Sequence, residues 1–289
     1  MPARMMKCCI LVVFVVSLFI LGSSTVQAQV PLDCSRLLGC SQNAELFSID
    51  LETGSATFIG TLPAPVTEIE YDNVNAILYA EESDGDTRLF SIDPETADHI
   101  DDVSHTWGAF TGMEFVGTTL YATYISTGGG AAPSELVIVD PDTGNFALIG
   151  LTGVGPVTGL AYQIESGTMY GVTAGSQPSS LVTIDLDTGA ATIVGPTGLD
   201  RIGGLEFGRN GRLYGGVAQN ASSYAGYLVR INPDTGTATP IGSTGYSISG
   251  LTACLPLEPP VPVMPKLVLA IMALLLLIPA MYTMTRRLI

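Results

Sequence analysis

One segment recurs five times along the middle of this 289-residue chain: LFSIDLETGSATFIG (46–60), LFSIDPETADHIDDV (89–103), LVIVDPDTGNFALIG (136–150), LVTIDLDTGAATIVG (181–195) and LVRINPDTGTATPIG (228–242). The Asp or Asn after each apolar run stands at 50, 93, 140, 185 and 232, so the period is 43–47 residues. A fixed period of this length means that each copy is one supersecondary unit burying its apolar faces against neighbours. Between copies lie two further runs. The first is VTEIEYD (66–72), FTGMEFV (110–116), VTGLAYQ (157–163), IGGLEFG (202–208) and ISGLTAC (248–254); the second is ILYAE, TLYAT, TMYGV and RLYGG. Each repeat therefore holds four short runs rich in β-branched and aromatic residues, separated by Gly, Asp and Asn turn chemistry.

Four strands per repeat at this period predict an all-β, five-bladed β-propeller over residues 30–256. A parallel β-helix is the competing architecture, but its coils are shorter and lack the four-strand hairpin punctuation. The two ends of the repeat array are out of phase: LFSID at 46 has no opening strand, and ISGLTAC has no successor. Residues 37–42 align with the LYG runs. The ring is thus expected to close through a composite blade, with 248–254 as its inner strand and 37–60 as the other three.

That closure sets Cys34 beside Cys254, where other blades have a covalent turn. A Cys34–Cys254 disulfide would replace the missing connection, and for loops this long the chain-entropy model gives roughly 4–5 kcal/mol. Cys40–Cys254 and Cys34–Cys40 remain alternatives.

Both termini read as addresses. Residues 1–28 carry a short basic start, an apolar run (Cys8–Gly22) and a Val26-Gln27-Ala28 end, the layout of a secretory signal peptide. A Pro-rich stalk (257–266) leads to an apolar stretch and Arg286-Arg287 (267–289), predicting a transmembrane helix with a cytoplasmic basic end. Val261-Pro262-Val263-Met264-Pro265, the apolar stretch and the terminal arginines resemble the C-terminal sorting signals of the PEP-CTERM and IPTL-CTERM classes of Gram-negative bacteria. The resemblance implies a sortase-like processing protease as partner. Lys266-Leu267-Val268 stands where those signals usually carry Ser-Glu-Trp-Gly. The expected location is the cell surface or envelope, with the propeller outside the cytoplasm and the membrane held through the C-terminal helix.

Charge narrows the partners. All 27 acidic residues lie between Asp33 and Glu258, together with only six arginines and no lysine. Such a surface repels phosphate backbones, which excludes nucleic acid as a ligand. Proteins, neutral glycans and cations stay open.

Within the repeats, the D-x-D/E-T-G element (Asp140, Asp142, Thr143, Gly144 and its equivalents) reads as a β-turn, in which Asp accepts turn amides and Gly supplies a positive φ. It lacks the further ligands of a calcium loop, so weak surface calcium is the most it offers and no other cofactor is expected. Glu70, Glu114 and Glu206 share one register on the inner strands, with Ala161 and Thr252 in the other two blades. They are expected to converge on the channel, where like charges raise each other's pKa and attract a cation. Loops between the second and third strands and between blades are expected to gather on one face and to bind there, with His105, Trp107, Tyr124, Arg201 and Tyr246 as contacts. No sequence block of a known catalytic family is present. The leading expectation is a surface binding module; the alternative is an extracellular glycan-processing enzyme using the channel carboxylates.

Overall fold

The computed structural model describes residues 35–83, 88–104, 110–125, 132–174 and 178–254. The segments assigned to the signal peptide, stalk and membrane helix lie outside them. Twenty strands are present among the described residues, and no helix.

The chain begins with β1 (Leu37–Ser41), β2 (Glu45–Ile49) and β3 (Ala56–Thr61), three strands of an unfinished sheet. Four strands in meander order follow: β4 (Val66–Asp72), β5 (Ile77–Glu82), β6 (Arg88–Ile92) and β7 (His99–Ser104). The next sheet holds β8 (Phe110–Val116), β9 (Thr119–Tyr124), β10 (Glu135–Val139) and β11 (Phe146–Leu151). Then come β12 (Val157–Gln163), β13 (Thr168–Thr173), β14 (Ser180–Ile184) and β15 (Ala191–Pro196). The last complete sheet is β16 (Ile202–Phe207), β17 (Leu213–Val217), β18 (Tyr227–Ile231) and β19 (Ala238–Ser243). Finally β20 (Gly250–Ala253) joins the unfinished sheet, giving the order β20-β1-β2-β3.

The composite blade therefore forms as the phase offset of the repeat predicts. Its closing pair is antiparallel, with Leu37 opposite Ala253 and Cys40 opposite Gly250. The inner strands β4, β8, β12, β16 and β20 pack in sequence around an axis, and β20 meets β4 to close the ring.

Burial falls from axis to rim. Most residues of the second and third strands of each blade are buried, whereas β3, β11 and β15 consist mainly of half-buried and exposed residues. Blade faces are thus covered near the axis and more open at the outermost strands, because the blades splay apart with distance from the axis. Each of these outer strands carries a register shift against its partner. Such bulges twist an exposed edge away from further pairing.

The repeated turn does two things. In the first copy Asp50 Oδ1 accepts from the N–H groups of Glu52 and Thr53 and from the Thr53 hydroxyl. Gly54, Gly144, Gly189 and Gly236 all take positive φ, between 68° and 79°. Gly54, Gly189 and Gly236 also press on the preceding blade: a Cβ on Gly189 would stand 2.7 Å from the Gly150 carbonyl oxygen. A Cβ on Gly242 would collide with the carbonyl of Thr53. The T-G turn and the I-G strand end are two halves of one inter-blade contact.

Candidate functional site

The inner strands place chemically equivalent positions in rings around the axis. The fifth position holds Glu70, Glu114, Ala161, Glu206 and Thr252. At this level each polar side chain accepts a backbone N–H from the next blade. Glu70 Oε1 accepts from Phe115 N at 3.0 Å, Glu114 from Tyr162, and Glu206 from Ala253. Thr252 Oγ1 closes the ring by accepting from Tyr71 N at 3.0 Å, while its hydroxyl bonds Glu70. Only Ala161 cannot reach across. The Phe207 N–H that it would serve donates instead to Glu206 Oε1, at 2.6 Å. The shared register of the three glutamates is thus a set of stitches between blades.

The stitches, and the Phe207 N–H on Glu206, use only part of what these three carboxylates can accept. One oxygen from each of Glu70, Glu114 and Glu206 lies within 4.8 Å of the other two. The three residues are only 3%, 7% and 7% exposed. Glu70 Oε2 and Glu114 Oε2 are buried without a hydrogen-bond partner.

A fourth carboxylate, Glu68, sits one layer deeper at the third position, where the other blades have Gly112, Gly159, Gly204 and Gly250. A Cβ on Gly159 would stand 2.7 Å from Leu205 N, and one on Gly204 2.5 Å from Leu251 N, so glycine is demanded by backbone contact between blades. Glu68 instead turns its carboxylate back along the strand, where Oε1 accepts from Ile69 N and Leu251 N. The sequence reading missed Glu68; its signal was a glutamate interrupting a column of glycines.

Burial dominates the electrostatics. Desolvation pushes the Glu70 carboxyl up to about 8 against the hydrogen bonds that it accepts. Glu114 and Glu206 are raised well above the usual range by desolvation first, then by their negative neighbours; Glu68 is raised likewise. Glu70, Glu114 and Glu206 form the floor of a cup of about 380 Å³ whose walls include Asn73, Tyr162, Gln163 and Arg209.

The other end of the axis is different. A recess of about 450 Å³ is lined by Thr67, Thr111, Thr158 and Ser249 from the inner strands, and by Gln42, Ala174, Arg201 and Gln219 from loops. The four hydroxyls occupy the second position of the repeated inner run, Ser249 just ahead of β20, and stitch this layer, each donating to the first residue of the next blade: Thr67 to Phe110 O, Thr111 to Val157 O, Thr158 to Ile202 O and Ser249 to Val66 O. Gly203 is the exception, since a Cβ there would stand 2.6 Å from Ile248 O. The rim is stapled by three repeated threonines. Thr152, Thr197 and Thr244 donate to Ser134 O, Ser179 O and Gly226 O, all at 2.8 Å.

Of the loops named from sequence, those at Arg201 and at Ala218 line this recess, and the five contact residues divide. Arg201 is exposed at the rim with φ +54°, and its carbonyl accepts from Ala218 N. Tyr246 stacks on Phe47, with ring centroids 4.6 Å apart. Tyr124 is buried against Phe146 at the end of β9. Both rings serve the packing of blades. His105 and Trp107 lie outside the described residues. The recess and the glutamates occupy opposite ends of the channel: the described lining of the recess has no carboxylate, while Glu70, Glu114, Glu165 and Glu206 line the cup.

Cys254 is buried just beyond Ala253, the partner of Leu37. Cys40 is a free buried thiol 3.4 Å from Ser249 Oγ, which removes both pairings that would use it. Cys34 lies outside the described residues.

Fold and axial rings together define a five-bladed β-propeller. No protein-family model matches the sequence, and no curated protein matches it. Among solved structures, a chain from the crystal structure of a nidogen/laminin complex is similar, with a TM-score of 0.53 at 12% identity, covering 76% of this chain and 98% of that one. At that identity the likeness is one of fold, and fold alone does not assign chemistry.

Proposed function

We propose that this chain is an exported, membrane-tethered propeller that acts at the cell surface as a binding module for a protein or glycan. The observation that carries the reading is the recess around Arg201. Loops from several blades meet there on a scaffold stitched at every level, and binding residues concentrate on loops held by rigid elements. The similar chain in the nidogen/laminin structure comes from a protein–protein complex, which favours a protein ligand. Export and tethering rest on the hydropathy of the two termini, and processing by a sortase-like protease on the C-terminal resemblance. A Cys34–Cys254 bridge belongs to the same reading, supported by the pairing of Leu37 with Ala253 and by the free state of Cys40.

The test is a protein pull-down and glycan-array screen with the full chain, repeated with Arg201→Glu and Gln219→Ala. A ligand retained by the native protein and lost in both variants supports the reading. A ligand that ignores both substitutions places binding elsewhere and overturns it.

The glycan-processing alternative is weaker on geometry. A retaining glycosidase sets two carboxyl groups about 5–5.5 Å apart across a scissile bond, and an inverting one sets them wider. Here three carboxylates crowd a single point, and each is engaged in a stitch. If Glu114→Gln abolished hydrolysis of a glycan substrate, the enzyme reading would displace the binding one.

A further inference from the structure

We propose that the axial glutamates form a calcium site, with Glu70, Glu114 and Glu206 each supplying one oxygen from a different blade. Three observations support this. The donor oxygens all lie within 4.8 Å of one another, close enough for small side-chain adjustments to bring all three to a calcium–oxygen distance of about 2.4 Å. In two of the three residues a carboxylate oxygen, Glu70 Oε2 and Glu114 Oε2, is buried and has no hydrogen-bond partner. Each carboxylate is held by the backbone N–H of its neighbouring blade, so the site is organised before the ion arrives.

The donor set selects the metal class. Carboxylate oxygens alone suit hard cations such as calcium, magnesium and manganese, whereas soft metals prefer thiolate or imidazole. Calcium takes six to eight oxygens in flexible geometry, and the cup above the glutamates leaves room for the waters that complete its shell. Magnesium needs oxygens at about 2.0–2.1 Å in a near-ideal octahedron and gives up its waters reluctantly, so a set of three carboxylates from separate blades suits it less well. The site is distinct from the turn aspartates, whose carboxylates are taken up by turn amides and Thr hydroxyls.

Structurally the ion would be an axle. It would link β4, β8 and β16, which no single stitch joins. Binding to the folded state alone stabilises it in proportion to the logarithm of free calcium over Kd.

The experiment is isothermal titration calorimetry of calcium chloride into the chelator-stripped full chain near neutral pH, with thermal melting in parallel. The expected result is one ion per chain, a Tm that rises with calcium, and weaker binding of magnesium. Gln keeps the carbonyl oxygen that accepts the inter-blade N–H, so Glu70→Gln/Glu114→Gln preserves the stitches while removing two charges. That variant is expected to keep the native far-UV spectrum and lose calcium affinity by at least 100-fold. Asp140→Asn/Asp185→Asn, at the turns, should bind as the native chain does. The absence of calcium binding by the folded native chain overturns the proposal. So does binding that survives the double Gln variant, disappears with the turn variant, or favours magnesium over calcium.

Discussion

The backbone N–H of Tyr71 donates to Thr252 Oγ1 at 3.0 Å, although 181 residues separate them. This bond joins the first complete blade to the strand that completes the ring. It is the fifth-position stitch at the one junction where a hydroxyl takes the place of a glutamate. Thr252→Val keeps the shape but leaves a buried N–H unpaired and removes a donor to Glu70. The expected loss is about 1–3 kcal/mol in denaturant unfolding. Thr252→Ser, which retains the hydroxyl, should recover most of it.

At the rim, Gly242 faces the carbonyl of Thr53 across the junction between the last complete blade and the composite one. Gly242→Ala forces backbone apart and should cost roughly 1–3 kcal/mol, as overpacking does. Gly155, whose added Cβ would meet nothing within 4 Å, is the matched control. Gly155→Ala should leave the melting temperature essentially unchanged, and equal effects at both positions would contradict the contact.

In chelator the axial carboxyls should govern the response to pH. In the folded chain Glu70 titrates at about 8, and Glu68, Glu114 and Glu206 also lie above the ordinary range. In the unfolded chain all four titrate near the usual value of about 4.3. Between those values the folded state holds more protons, so stability falls as pH rises. This contribution is fully present below about pH 4.3 and is lost through pH 8. Asp50, Asp140 and Asp185 have the opposite sign, because hydrogen bonds from their turn threonines hold them low. Calorimetry should find a higher Tm at pH 5.5 than at pH 8, and Glu114→Gln should flatten the difference.

The thiols give a chemical check. Burial pushes the Cys40 thiol far above its usual value, so little thiolate forms. Cys40 should resist iodoacetamide in the native protein and react once denatured without reductant. Cys34 and Cys254 should react only after reduction. Alkylation of Cys254 in the denatured, unreduced chain would exclude the proposed bridge.

The architecture was legible because repetition is visible in one dimension: five copies of one segment, and an offset at the two ends that only a composite blade resolves. The glutamates were legible as a register. Their second role was not, since a stitch joins a side chain to a backbone N–H one blade away and leaves no local pattern. Glu68 was hidden for a related reason: the column of glycines that it interrupts reflects backbone contact between blades, which strand periodicity does not report. Tyr124 and Tyr246 read as loop aromatics because Phe146 and Phe47, on which they pack, are distant in sequence.

The pairing of β1 with β20 also dictates an order of events. The earliest strand must wait, one edge unsatisfied, until the latest is made, so the ring can be sealed only when nearly the whole repeat array is available. Closing contacts so far apart is slow. A chain threaded through a membrane from its front end would spend that interval as an open fan, and this is when a chaperone would have most to offer it.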